Sequence, residues 1–316
     1  MSWWPAGSGP RGGLVFGGRG PAPQRLLICV QPSAARSPGA AGAARLTERD
    51  RLALAFAAEH RLVLGAQMQA LLGVSAAAAA KRLRALVGVG HLISERQLHG
   101  QPGCYQITRS GLGAIESTLP RPRAVDLSCY RHDVGLGWLW LHARAGRFGP
   151  ARDVVAERRM RSQDRRDGDR DARFGVRLGG PGPGGGERLH YPDLLVELQS
   201  GHRVAFELEL TSKSRRRREG ILAGFAGDRR IDVVAYLVDR PASGRAIARS
   251  AARLGIADLV HVQPVSFDPP RSVGGGAERS PARPRRRARE PATGHRSARE
   301  AVAGQTSARA PAGVDR

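Results

Sequence analysis

The sequence predicts a mixed α/β protein: a winged helix-turn-helix module comes first, a module of alternating strands and helices follows, and disordered termini flank the two. Three observations lead to that expectation. Between residues 47 and 87, apolar residues recur at helical spacing in three short runs, each set off by glycine or a capping residue. From 191 to 210, two arms alternate apolar and polar residues about Gln199-Ser200-Gly201, which is the pattern of a β-hairpin. Both ends of the chain lack any sustained hydrophobic period.

Taken in order, residues 1–44 carry Arg11, Arg19, Arg25 and Arg36, no acids, and mostly Gly, Ala, Pro and Ser. Such a segment buries too little apolar surface to offset its chain entropy, so it is expected to be disordered or to be an extension upstream of the true start. Residues 45–146 form the expected winged-helix domain with a trailing helix. Thr47 is its first N-cap, with Leu52, Leu54, Phe56 and Ala57 following at helical spacing to His60. A second helix spans Gly65 to Leu72 and stops at Gly73; Ser75 caps a third that runs to Val87, before Gly88 and Gly90. Leu92 and Ile93 begin a strand, Gly100 to Gly103 turns it, and Tyr105 to Thr108 returns, giving the wing. A helix from about Asp133 ends at Gly146 to Pro150, the expected domain boundary. The second domain covers 147–267. In it a strand at Val154 to Glu157 precedes a charged loop (Arg158 to Arg173) and a flexible Gly-rich excursion (Gly179 to Gly186) before the 191–210 hairpin. A helix bearing Ile221, Leu222 and Phe225, a buried-type strand from Ile231 to Val238, a helix from Ser243 to Leu254 and a strand from Leu259 complete it. Residues 268–316 are expected to form a disordered basic tail.

Charge directs the functional expectation. The chain has 51 Lys+Arg against 28 Asp+Glu, a formal charge of +23. Removing the four positive charges of the N-terminal segment and the seven net charges of residues 271–316 still leaves +12 on the middle. A polyanion is therefore the expected partner, because each cation near a phosphate releases condensed counterions. On the third helix Ala76, Ala79, Leu83, Leu86 and Val87 fall on one side, while Ala77, Ala78, Lys81, Arg82 and Arg84 point outward. Small residues at its start allow close approach to a major groove, and the cations then reach phosphates on either side. Arg96, His99 and Gln101 on the wing are placed for backbone or minor-groove contacts. Because Ala77 and Ala78 supply no hydrogen bonds, strong base readout is not expected.

The hairpin supplies a second candidate site. Leu194, Val196 and Leu198 share one face of the first arm, and Val204, Phe206, Leu208 and Leu210 share one face of the second. If these faces pack together, paired residues sum to 400, with Gly201 in the left-handed position of a three-residue loop. That register sets Asp193 opposite Glu207, with Glu209 diagonal to both on the same face. Three converging carboxylates would suit Mg2+ or Mn2+. The bland alternative is a solvated strand face on which Glu207 and Glu209 pair with Arg215 to Arg218.

Pro192-Asp193, Glu207-x-Glu209 and Lys213 together resemble the PD-(D/E)xK restriction-endonuclease-like fold. That resemblance implies a catalytic set of Asp193, Glu207 and Lys213, with Asp193 and Glu207 on the metal; Glu209 joins the candidate metal set through its place on the same strand face. One departure is that Glu209 stands where the pattern has its lysine. More closely, the helical module with Thr108-x-x-Gly111, the His132-Asp133 helix, the Glu157-Arg158 pair and the block from Phe206 to Thr211 resemble the replication-relaxation family of actinobacterial plasmids and integrative elements. Over residues 45–265 this similarity implies a DNA-binding accessory protein of plasmid or mobile-element replication or transfer, with a degenerate nuclease-like domain. A Mg2+-dependent DNA endonuclease is the alternative. The partners implied are duplex DNA, a relaxase or replication protein, and a second copy of the chain.

Other chemistries find little support. Three cysteines outside any CxxC pattern argue against a disulfide framework or thiolate zinc site and for a reducing cytoplasm. The histidines lack HxxxH and HxH spacing. Gly179 to Gly186 lacks the Lys-Ser/Thr of a phosphate loop. No run approaches the roughly 18 apolar residues of a membrane span. RNA binding would need an aromatic stacking surface, which this aromatic-poor chain does not offer.

Overall fold

The computed structural model describes residues 14–15, 46–97, 102–167, 173–182 and 185–266. A short strand, β1 (Leu14–Val15), falls within the N-terminal segment expected to be disordered. Three helices then follow: α1 (Glu48–Glu59), α2 (Gly65–Leu72) and α3 (Ala76–Gly88). Each boundary has a local cause. The Thr47 hydroxyl accepts the Asp50 N–H at 3.2 Å while the Asp50 carboxylate accepts the Thr47 N–H at 2.8 Å, a reciprocal capping box that starts α1. Gly73 ends α2 in the left-handed region at φ 62°. The Ser75 hydroxyl accepts the Ala78 N–H at 3.2 Å and starts α3.

The expected hairpin forms, and it gains a strand that the sequence did not announce. β2 (Val63–Leu64) pairs with β4 (Cys104–Ile107), which pairs with β3 (Leu92–Glu95), giving an antiparallel sheet in the order β2-β4-β3. The hairpin tip, with His99, Gly100 and Gln101, lies outside the described residues. Thr108 caps α4 (Arg109–Ala114): its hydroxyl accepts the Gly111 N–H at 3.0 Å and donates to the Gly90 carbonyl at 2.6 Å. Any side chain at Gly111 would strike the His91 carbonyl, so the Thr108-x-x-Gly111 spacing marks a close backbone crossing. α5 (Tyr130–Arg144) begins slightly before the expected Asp133 and is tied to α2 by Gln67, whose amide donates to the Val134 carbonyl at 2.8 Å.

A six-stranded sheet follows. β5 (Ala151–Ala156), β8 (Leu194–Leu198) and β9 (Arg203–Glu209) are antiparallel; β10 (Val233–Val238) and β11 (Val260–Ser266) run parallel to β9, and β1 pairs with β11 at the edge. The β8–β9 register pairs Leu194 with Phe206, Leu195 with Ala205 and Val196 with Val204, as the parity of the apolar faces requires. Gly201 takes φ 89° in the turn.

Two expectations are corrected between β5 and β8. The segment from Arg158, expected as a charged loop, is instead the helix α6 (Glu157–Asp167). Its apolar face is almost a single residue, Met160, so hydrophobic periodicity gave no signal. What holds α6 is the buried Asp164 one turn on, whose carboxylate accepts the backbone N–H groups of Arg173, Phe174 and Gly175 at 2.8–3.2 Å. The Gly-rich stretch is not simply an excursion either: β6 (Val176–Pro181) and β7 (Glu187–His190) pair antiparallel, with Gly179 and Gly180 at positive φ where their register shifts.

The alternation along β8 and β9 divides the interior into two cores. Leu194, Val196, Phe206 and Leu237 face α5 and the N-terminal helices, and this core runs without interruption past the expected boundary at residues 146–147. Leu195, Ala205, Val234 and Tyr236 face the other way and are covered by α7 (Arg215–Gly227) and α8 (Pro241–Arg253) through Ile221, Phe225 and Ile247. The central sheet therefore carries α1–α5 on one side and α7 and α8 on the other.

Candidate functional site

The outward face of α3 is the first candidate. Ala77, Ala78, Lys81 and Arg84 are exposed, whereas Ala79, Leu83 and Leu86 are buried, so the helix turns the face anticipated from its periodicity to solvent. Ala76, expected inward, is exposed because it is the first residue past the cap. Arg82 behaves differently from its neighbours. Its guanidinium leans onto α1, donating to the Thr47 hydroxyl and to the Asp50 carboxylate at 2.6 Å each. The cation thus closes the same capping box that starts α1. Among the described residues Lys81 and Arg84 have no carboxylate partner, and Arg96 is exposed beyond β3.

The second candidate lies where β8 and β9 begin and end. Asp193 immediately precedes β8, and its backbone N–H donates to the Phe206 carbonyl at 3.0 Å, extending the ladder so that Asp193 falls opposite Glu207. Its carboxylate accepts the Leu208 N–H at 2.7 Å and meets His132 Nε2 at 3.2 Å. Burial alone would raise the Asp193 pKa, but the His132 charge, the His132 hydrogen bond and the Leu208 N–H outweigh it and hold the carboxyl below its usual range. Burial would likewise lower His132, yet Asp193 and Asp133 overcome it and lift the imidazole to about 10. The pair is therefore an imidazolium and a carboxylate at neutral pH.

Glu207 and Glu209 are both buried, at 2% and 3% exposure, which excludes a solvated strand face. They are paired with Lys213 and not with Arg215 to Arg218. The Lys213 ammonium contacts Glu209 directly and stands 3.8 Å from Glu207, and its backbone N–H donates to Glu209 at 3.0 Å. Glu207 also meets His190 Nε2 at 2.7 Å. Burial would lower both His190 and Lys213, but Glu207, with Asp193, raises His190, and Glu207 and Glu209 raise Lys213. Lys213 lies in the loop before α7 and reaches the acids from there.

The trio foreseen in the sequence is thus brought into one neighbourhood but divided: Asp193 turns to His132, and the glutamates turn to Lys213 and His190. Among the described residues no group of three or more His, Cys, Asp and Glu side chains is arranged to hold a metal ion. The arrangement with Lys213 between the glutamates does not fit Mg2+ or Mn2+.

Sequence reasoning missed both histidines as partners, because His132 is 61 residues from Asp193 and spacing rules see only local pairs. It also missed the cleft beside this cluster, lined by Arg61, Asp133, Glu157, Arg158 and Asp193. Arg158 crosses that junction, donating to the Ala58 carbonyl at 3.1 Å and to the Pro120 carbonyl at 2.5 Å. Arg61 stands 3.8 Å from Asp133 and 3.5 Å from Glu157. The His132-Asp133 and Glu157-Arg158 pairs, singled out by resemblance, therefore meet at one place, where the N-terminal helices join the sheet.

No known protein family and no curated protein matches the sequence. Among solved structures, "PigF with SAH" matches at 14% identity with a TM-score of 0.17, covering 69% of this chain. The match spans 62% of that protein's length, and so low a score carries no argument about fold or function. No helix among the described residues is long and apolar enough to cross a membrane.

Proposed function

We propose that the chain is a DNA-binding accessory protein of plasmid or mobile-element replication or transfer, in which a winged helix presents α3 to duplex DNA and a nuclease-like domain supports it without cutting. The observation that carries the reading is the outward face of α3, with small Ala77 and Ala78 followed by the exposed, carboxylate-free Lys81 and Arg84. The motif resemblance to the replication-relaxation family supports the mobile-element setting. Arg82 belongs to the cap of α1 in this reading, and Lys81, Arg84 and Arg96 contact phosphates. A gel-shift titration of the full chain tests it: low-salt binding to random-sequence duplex is expected, and no shift at low salt would sink the proposal.

The second reading, a DNA endonuclease using Asp193, Glu207 and Lys213, is favoured by one observation: the Lys213 ammonium reaches Glu207 and Glu209 although it is displaced along the chain. Against it, both Lys213 and Asp193 are occupied by ion pairs. We expect supercoiled plasmid to stay intact with Mg2+ or Mn2+. Metal-dependent cutting that disappears in Asp193→Ala would promote this reading to first place.

A further inference from the structure

The two helices that cover the far side of the sheet carry seven arginines against one acid, Glu219. Arg245, Arg249 and Arg253 recur every four residues on the outward side of α8, opposite the buried Ile247 and Ala251. At 1.5 Å per residue they form a stripe roughly 12 Å long, the axial length of three to four phosphates of one DNA strand at about 3.4 Å each. The stripe continues onto α7, because Glu219 accepts from both Arg253 and Arg215. Arg218 is spent inside the pair of helices, on the Ser250 hydroxyl and the Lys213 carbonyl. Arg216, Arg217, Arg245 and Arg249 are exposed, and no carboxylate partner is found for them among the described residues.

These cations do nothing evident for the fold. Four arginines crowd the first turn of α7, where the helix dipole favours acids, and the first turn holds none. Arginine's planar fork suits phosphate oxygens. The one glutamate on these helices, Glu219, is taken up by Arg215 and Arg253 and leaves Arg216, Arg217, Arg245 and Arg249 uncompensated by any carboxylate among the described residues.

We propose that the outer face of α7 and α8 is a second duplex-DNA-binding surface, so that one chain holds two duplex segments on opposite sides of its central sheet. The inference rests on α3 being the first DNA surface. Its geometric basis is the division of the interior: α3 belongs to the core on one face of the sheet, and α7 and α8 belong to the core on the other.

The test uses the full chain, so that both termini are present in every variant. One duplex is fixed to beads, and the capture of a second, fluorescent duplex is measured, with a gel shift on a single duplex in parallel. The variant Arg216→Gln/Arg217→Gln/Arg245→Gln/Arg249→Gln is compared with the same four positions changed to Lys, and circular dichroism confirms the fold of both. We expect the Gln variant to bind single duplex within about threefold of wild type but to capture at least about fivefold less second duplex, and the Lys variant, which keeps the charge, to capture as wild type does. A Gln variant that captures normally, or a wild-type chain that shifts duplex but captures no second one, overturns the second surface alone. So does a Gln variant whose only loss is binding to anionic lipid vesicles. A wild-type chain that shifts no duplex at all overturns the reading of α3 and this inference together.

Discussion

Lys81 and Arg82 are adjacent cations on one helix, yet their surroundings give them different work. Arg82 is tied to Thr47 and Asp50, so Arg82→Ala should cost about 1–2 kcal/mol of stability, below the roughly 1.5–3 kcal/mol of hydrogen bonds to charged groups because the side chain is 37% exposed and screened, with little change in DNA affinity once folded. Chemical denaturation and gel shift measured together check this; a loss of affinity at unchanged stability would return Arg82 to the DNA-facing set. The His132–Asp193 pair makes a prediction in pH. His132 is raised from 6.5 to about 10 in the folded chain, so its stabilising contribution is fully present below about 6.5 and is lost as pH rises through about 10. Asp193 is depressed, so its contribution is lost only as pH falls through its lowered value. The Tm difference between wild type and His132→Gln should therefore shrink steadily from pH 7 to pH 10, and a constant difference would show that the ring is held for packing alone. The carboxylates at 193, 207 and 209 were legible in the sequence because strand alternation fixes which side chains share a face. Lys213 was named beside them, but their histidine partners were not, since the pairing of His132 with Asp193 depends on how α5 crosses the sheet.

At the level of elements, capping chemistry was the most readable signal. Thr47, Gly73 and Ser75 sit where the helices begin and end because each satisfies a backbone group or a dihedral that its neighbours cannot. The β8–β9 register was readable for a similar reason: a slip of one residue would turn one arm's apolar set, such as Val204, Phe206 and Leu208, away from the set on its partner strand. α6 was unreadable from periodicity, being held by Met160 and by the reach of Asp164 to a segment nine to eleven residues on. Asp164→Ala should leave those N–H groups unpaired in a buried place and cost about 3 kcal/mol or more, whereas Asp164→Asn should recover part of the loss through its remaining acceptor oxygen. Equal losses in the two variants, measured by denaturant titration, would mean that the charge and not the acceptor geometry anchors α6.

For the whole molecule, the surplus of positive charge is spread over the surface, and two helical faces carry a concentrated share of it. Asp193, Glu207 and Glu209 are drawn inward to His132, His190 and Lys213, while Lys81 and Arg84 on α3 and Arg216, Arg217, Arg245 and Arg249 on the outer helices are among the exposed cations that have no carboxylate partner within the described residues. The continuous core from α1 to β10 makes the N-terminal helices and the sheet one packed body, which sequence alone had divided near residue 146 because Gly146 to Pro150 looks like a linker. Leu83 and Leu86 of α3 belong to that core, so the opposite face of α3 is the one left to solvent. The measurement that bears most directly on this account is the salt dependence of duplex binding for the full chain and for Lys81→Ala/Arg84→Ala. The double variant should bind more weakly to every sequence tried, and its log-log salt slope should be shallower by about one for each phosphate it no longer neutralises, or roughly two in all. An unchanged affinity and slope, with the fold intact by circular dichroism, would contradict the assignment of α3 as the DNA-facing helix.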